Sequence, residues 1–314
     1  MIYDCFTFFN ELEILELRLQ LLYDVVDKFV LVESTKTHSN VDKELFYELN
    51  KKRYAKYNDK IIHIVVSDFP EFKNSWTYEN YQRNQIFLAL TECNPEDIIM
   101  ISDADEIPKP EIISKIHFRD EVYCLVQDQY FFFYNYRDIH HLFWIGGTKV
   151  LQYGVIQRNL LDEKRVRYND QTFPAYMNQG VTATKIRLYD GAKFIYNGGW
   201  HFSYLGGVQA IFKKVRAFAH QELNNEHFLN EDRIETCLKT GEDVFGRKNH
   251  RFIRVKVSAE THPEQLLTIN QDSPFVYTKI PIQDISFTLR SVQLFKIRLI
   301  RYVKKIIWKK IYII

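Results

Sequence analysis

Three carboxylates fall within four residues at Asp103, Asp105 and Glu106, closing the run IIMISDADEIP. Like charges this close repel unless something positive sits among them. A hard divalent cation such as Mg²⁺ or Mn²⁺ takes carboxylate oxygens and keeps coordination positions open for substrate phosphates. A metal-binding DxD element facing the diphosphate of a sugar nucleotide is one reading; a solvated acidic loop is the other. Position favours the first. Ile98–Ile101 is a continuous apolar run, as in a strand buried on both faces, and Pro108 and Pro110 end any regular continuation. In open α/β sheets, ligands bind outside the carboxyl ends of such strands.

Other residues offer supporting chemistry, each with an ordinary structural alternative. Asn10 and Glu11 end the first apolar segment on the same side of a parallel sheet, where Asn10 serves equally well as a helix N-cap. Glu33 ends the second strand with the same ambiguity. Arg83 and Asn84 sit on the helix before the acidic strand; an arginine fork suits phosphate oxygens or a surface ion pair. Lys149 follows Trp144 and the pair Gly146-Gly147, a set that can approach a phosphate or form a hairpin turn. In NGGWHFSYLGG, glycine pairs flank Trp200 and His201; His201 is read either as a metal or phosphate ligand or as a structural histidine. Glu222 and Asp243 are candidate general bases and equally ordinary surface acids.

The elements that must position these groups alternate. Strands are expected at 2–9, 29–33, 61–66 and 98–101. Helices are expected after Asn10 (Leu12, Leu15, Leu19 and Leu22 at helical spacing), at 43–56 and at 79–90. This is the pattern of βαβ units and a mostly parallel sheet. Beyond about residue 120 it changes: strands are expected at 122–136, 148–158, 184–190 and 193–196, then helices at 208–223 and 231–239. The reading is one α/β domain over 1–285, with a nucleotide-binding half to about 120 and a mixed-sheet acceptor half over 121–285, followed by a helix over 286–314.

With 46% hydrophobic and 26% charged residues the chain can bury a full core. Its four cysteines are scattered, with no CxxC and no zinc-like cluster, which suits a reducing compartment. No secretory leader or membrane span is expected. From Arg290 onward there are eight basic residues and no acid, so residues 1–289 balance at −6. In that tail Val292, Phe295, Leu299, Val303, Ile306 and Ile307 make an apolar stripe, with Arg298, Arg301 and Lys305 off it. Such a helix suits an anionic membrane interface, or packs on the domain with a solvated basic face. The location expected is the cytoplasmic side of a cell membrane, peripherally attached, with no nucleic-acid partner.

IYDCFTFFNELEILELRLQLLYDVVDKFVLVESTKTHS, ENYQRN, ISDADEIP, NGGWHFSYLGG and GEDVFGR together resemble glycosyltransferase family 17, over roughly residues 2–247. The resemblance implies a GT-A-like fold and inverting transfer of GlcNAc from UDP-GlcNAc with Mn²⁺. It implies that Asp103 and Asp105 hold the metal, with Glu106 next in the motif. Arg83 and Asn84 then belong to the preceding helix, Asn10 and Glu11 to the nucleotide-facing strand end, and Trp200 and His201 to the Trp-His block. It assigns no general base. The acceptor expected is a glycan or lipid-linked glycan, as in bacterial surface polysaccharide synthesis. Two rivals stand beside it: a metal-dependent nucleotidyl- or phosphotransferase, and a non-catalytic, membrane-attached glycan-binding protein.

Overall fold

The computed structural model describes residues 1–70, 74–167 and 180–311, the last five of these as helix backbone alone. The first half alternates as expected: β1 (Ile2–Phe8), α1 (Leu12–Leu22), β2 (Lys28–Ser34), α2 (Phe46–Asn50), β3 (Ile61–Val66), α3 (Ser75–Asn84), β4 (Ile98–Asp103), β5 (Glu106–Pro108) and α4 (Pro110–Ile113). The second half is strand-rich: β6 (Tyr123–Phe131), β7 (Tyr136–Asp138), β8 (Phe143–Trp144), β9 (Lys149–Gln152), α5 (Tyr153–Gln157), α6 (Ala183–Leu188), β10 (Lys193–Ser203), α7 (Gly207–Ala217), α8 (Glu231–Thr240), β11 (Phe252–Arg254) and α9 (Phe287–Ile311).

The main sheet runs β3-β2-β1-β4-β9-β6-β10-β5, with β8 on β6, while β7 and β11 form a separate ribbon. β1 to β4, β6 and β10 share one direction; β9 is reversed between β4 and β6, and β5 is reversed at the edge. This is the α/β architecture with a mostly parallel sheet and a mixed second half. Side chains alternate between two cores. Cys5, Val30, Val32, Ile99 and Ile101 face one, and Phe6, Phe8, Phe29, Leu31 and Met100 face the other. Leu15, Leu19 and Leu22 of α1 close the second core. Each fully buried side chain of this kind contributes roughly 1.5–3 kcal/mol against exposure.

Several elements depart from expectation for local reasons. Asn10 does not cap α1; Glu11 occupies the N-cap position, and its Oε2 accepts the backbone N–H groups of Phe9 and Asn10. The helix expected at 43–56 is α2 followed by a 3-10 segment over 51–57. The helix expected at 79–90 starts earlier, where Asn74 accepts from the N–H of Thr77, and tightens into a 3-10 turn after residue 84. The strand expected at 148–158 stops at Gln152 and becomes α5. The segment expected as a strand at 184–190 is α6, because Thr182 caps Lys185 and starts a helix. The strand expected at 193–196 runs through both glycines to Ser203, with a bulge between Ile195 and Gly199. Gly199, at φ +152°, is needed there: a Cβ would lie 2.1 Å from the Ile107 carbonyl oxygen. The helix expected at 208–223 ends at Ala217.

α9 docks by its polar side. Arg290 pairs with Asp128, Gln293 bonds the backbone of Ile139 and Leu142, and Arg301 and Lys304 pair with Asp190. The stripe residues Val292, Phe295, Leu299, Val303 and Ile306 are left exposed; the side chains of Ile307, Lys309 and Lys310 lie outside the described residues. No described helix is long and apolar enough to cross a membrane.

Candidate active site

Because β1, β2, β4, β6 and β10 run the same way, their carboxyl ends gather on one edge of the sheet. A cavity of about 490 Å³ opens there, in the range of small-molecule sites. It contains the acidic triplet. Asp103 ends β4, Ala104 and Asp105 make the turn, and Glu106 starts β5 opposite His201.

The turn is held from behind by a residue that the motif reading missed. Arg18 of α1 is fully buried and makes a two-toothed pair with Asp4 of β1, at 2.6 and 2.7 Å. Its remaining donors reach Ser102 Oγ at 2.6 Å and the carbonyl oxygens of Asp103, Ala104 and Glu106 at 3.1, 3.1 and 2.9 Å. One guanidinium therefore fixes the backbone of the whole acidic turn.

Each carboxylate has its own cation. Arg83 donates to Asp103 Oδ1 at 2.9 Å and Arg187 to Oδ2 at 3.2 Å. Burial alone would raise the Asp103 carboxyl; Arg187 and Arg83 outweigh it and hold it down to about 2. Lys214 of α7 donates to Asp105 Oδ2 at 2.7 Å, and His201 Nε2 lies 3.5 Å from Oδ1. Against the opposing effect of burial, Lys214 and His201 keep Asp105 far below the usual carboxylate range. Glu106, 1% exposed, takes both arms of Arg187 at 2.8 Å and the indole N–H of Trp144 at 2.6 Å. The cavity wall carries six cations (Lys36, Lys43, Arg83, Arg187, Lys214, Arg247) against five carboxylates (Glu11, Glu79, Asp103, Asp105, Glu106) and three histidines (His38, His201, His220). It is thus acidic at one point and net positive around it, which suits an anion beside a cation.

Two carboxylates and an imidazole are ligand types that a divalent ion takes, with Asp103 the most open at 38% exposure, but here Arg83, Arg187 and Lys214 hold the carboxylates and the three groups are too spread to share an ion without moving. His201 Nδ1 is buried and has no hydrogen-bond partner among the described residues.

The other sequence candidates separate clearly. Glu11 and Arg83 line the cavity. Asn84 does not; its Oδ1 accepts the N–H of Thr184, seating the helix that delivers Arg187. Asn10 and Glu33 are not lining residues either: Glu33 is buried, accepting the N–H of Tyr47 at 3.0 Å with His63 at 3.2 Å. Lys149 is buried in the sheet with its Nζ 3.1 Å from Cys124 Sγ. The Gly146-Gly147 pair before it makes room rather than binding phosphate, since a Cβ on Gly147 would meet Gln127 Oε1 at 2.4 Å. Trp200 faces the opposite side of β10 from His201 and donates to the Thr261 carbonyl. Asp243 takes three hydrogen bonds from Arg247, at 2.8 to 2.9 Å, and does not line the cavity. Glu222 is exposed and 2.6 Å from Nδ1 of His220, which does line it. Arg187, Lys214 and His220 were not singled out as donor-binding or catalytic candidates.

Residues 1–153 match the model of glycosyltransferase family 17; the acidic turn lies within this segment, whereas Arg187, His201, Lys214 and His220 lie beyond it. The human β-1,4-mannosyl-glycoprotein 4-β-N-acetylglucosaminyltransferase is 25% identical over 228 residues, covering 66% of this chain and 41% of its own. The rat enzyme of the same name is 25% identical over 228 residues, with 66% and 40% covered. The chain thus spans about two fifths of the length of these relatives. Among solved structures, residues 1–349 of S. aureus TarS align at 13% identity and a TM-score of 0.36, covering 76% of this chain and 69% of that one.

Proposed function

We propose that this protein is an inverting glycosyltransferase. In this proposal it moves a sugar, GlcNAc from UDP-GlcNAc, onto a glycan or lipid-linked glycan of a bacterial surface polysaccharide pathway. The observation that carries it is the cavity itself: a fixed acidic turn, within the segment that matches family 17, ringed by cations at the carboxyl edge of the sheet.

Asp103 and Asp105, with His201 beside them, would hold Mn²⁺ or Mg²⁺, which when bound supplies Lewis-acid neutralisation of the donor's diphosphate. The chain's own residues do the rest. Arg83, Arg187 and Lys214 are pre-oriented cations in a shielded cavity, so they stabilise the charge that grows on the departing nucleotide without reorganising. Trp76 and Trp144 line the cavity and give it aromatic surface for a base or sugar. His220 is the group suited to take the acceptor hydroxyl proton. Glu222 orients its ring through Nδ1, and Trp76 packs edge-on at 4.7 Å. Glu222 then acts through His220 rather than on the acceptor.

For location the proposal is the cytoplasmic face of a membrane containing anionic lipid. The outward apolar side of α9, flanked by Lys296, Arg298 and Lys305, supports this.

The test is a panel of nucleotide sugars incubated with Mn²⁺, following release of UDP, pyrophosphate and inorganic phosphate separately. UDP from a single preferred donor, lost in Asp105→Asn, is the expected outcome. Pyrophosphate or phosphate would assign a nucleotidyl- or phosphotransferase instead. Nucleotide binding without turnover would assign a glycan-binding protein.

A further inference from the structure

A second cluster of ligating side chains lies outside the cavity. Asp138 ends β7, His141 sits in the turn after it, and His250 precedes β11, whose Phe252 pairs with Asp138. One ligand atom from each lies within 4.8 Å of the others, and among the described residues this is the group of histidines and carboxylates that meets that spacing. The Asp138 carboxylate is fully buried. Its Oδ1 accepts the backbone N–H groups of His140 at 2.9 Å and Arg251 at 3.1 Å, which aims Oδ2 at the histidines. Nδ1 of His141 is 2.8 Å from Oδ2 and Nδ1 of His250 is 2.6 Å from the same oxygen. The two rings stack at 4.3 Å and 23°.

The hydrogen bond between His141 Nδ1 and Asp138 Oδ2, at 2.8 Å, accounts for only part of this arrangement. His250 Nδ1 is buried and close to Oδ2, yet among the described residues it makes no hydrogen bond. Two imidazolium rings stacked this closely would repel.

We propose that Asp138, His141 and His250 form a Zn²⁺ site with one position open. Two imidazole nitrogens and one carboxylate oxygen are the donor set that a borderline divalent ion takes in three-ligand tetrahedral sites. Metal–ligand bonds of about 2.0–2.2 Å put tetrahedral ligand atoms about 3.3 Å apart, so the present contacts must open by roughly half an ångström. His141 is 47% exposed and free to make that shift. The buried Asp138, braced by two backbone N–H groups, already supplies the outer support that fixes a metal ligand. The ion would staple the segment 241–251, which carries Arg247 to the cavity wall, onto the turn after β7. The site stands on its own geometry and does not depend on the transferase proposal.

The experiment uses the full chain stripped of metal by a chelator and titrated with Co²⁺ as a spectroscopic probe, then with Zn²⁺. One equivalent of Co²⁺ is expected to give the visible d–d absorption of a tetrahedral ion, displaced by one equivalent of Zn²⁺. His141→Ala and His250→Gln should each abolish the band, while the metal-free His141→Ala protein melts like the wild type because that side chain is exposed. Asp103→Ala/Asp105→Ala should keep the band. No band in the wild type would overturn the assignment. So would a band that survives both histidine variants, or one lost with the acidic triplet.

Discussion

Arg18 is where the fold and the candidate site are most tightly joined, and its replacement gives a quantitative expectation. Its fully buried guanidinium serves six acceptors: both oxygens of Asp4, Ser102 Oγ and three carbonyls of the acidic turn. Arg18→Met leaves Asp4, itself 0% exposed, charged and unpartnered. Removing one member of a buried pair costs about 3–5 kcal/mol. Arg18→Lys keeps the charge but offers three donors to six acceptors, so at least three are stranded; we expect a loss of about 2–4 kcal/mol. In an Asp4→Leu background the buried charge is gone, and Arg18→Met should cost about 2 kcal/mol less than in the wild type. Urea unfolding, read as the shift in midpoint at constant slope, measures all three. Because the turn loses its carbonyl anchors, donor turnover should fall at least about tenfold in Arg18→Lys at temperatures where the protein is folded, a shift of the order produced by small misplacement of reacting groups. A lysine variant as stable and as active as the wild type would refute the anchoring role. So would a cycle that is additive within about 0.5 kcal/mol.

His220→Gln should lower the turnover number by about 10²–10⁴-fold with little change in donor KM, and Glu222→Gln should lower it less; steady-state kinetics over a pH series checks both. His262 donates from Nε2 to the Tyr134 carbonyl, and burial pushes its pKa down to about 4. The unfolded chain takes up that proton near pH 6.5 and the folded one only near 4. Stability from this group is therefore present above pH 6.5 and lost as pH falls from 6.5 towards 4, by about 3 kcal/mol in all. His262→Gln should flatten that part of the urea-midpoint profile. Phe295→Glu/Leu299→Glu on the outward side of α9 should abolish co-sedimentation with vesicles containing phosphatidylglycerol. Retention of vesicle binding would end the membrane proposal.

Much of this was written locally in the chain. The apolar runs of β1, β2 and β4 and the leucine spacing of α1 predict βαβ units and a mostly parallel sheet, and the acidic triplet lies where a strand end predicts it. Arg83 was legible as a cation on the preceding helix. Arg18 had a local signal too, since it falls between Leu15 and Leu22 on the apolar stripe of α1 while Asp4 interrupts an apolar strand. Two opposite charges at core positions point to each other. Trp200 and His201 face opposite ways because β10 continues through its glycines, so period-two alternation separates them. Arg187, Lys214 and His220 carry no such signal. Arg187 and Lys214 reach the site from 84 and 109 residues away on α6 and α7, and His220 from the loop after α7; how those helices dock is a property of the whole fold. Lys149 and Glu33 show the converse: polar residues at strand ends that the interior absorbs.

We propose that the turn at 103–106 binds a divalent cation against a nucleotide diphosphate. Its most direct test is a crystal grown with Mn²⁺ and UDP, examined for anomalous scattering from manganese. One strong peak beside the carboxylates of Asp103 and Asp105 and the diphosphate oxygens is expected, absent in Asp105→Asn. A nucleotide bound in the cavity with no manganese beside those carboxylates, or one bound elsewhere on the molecule, would contradict it.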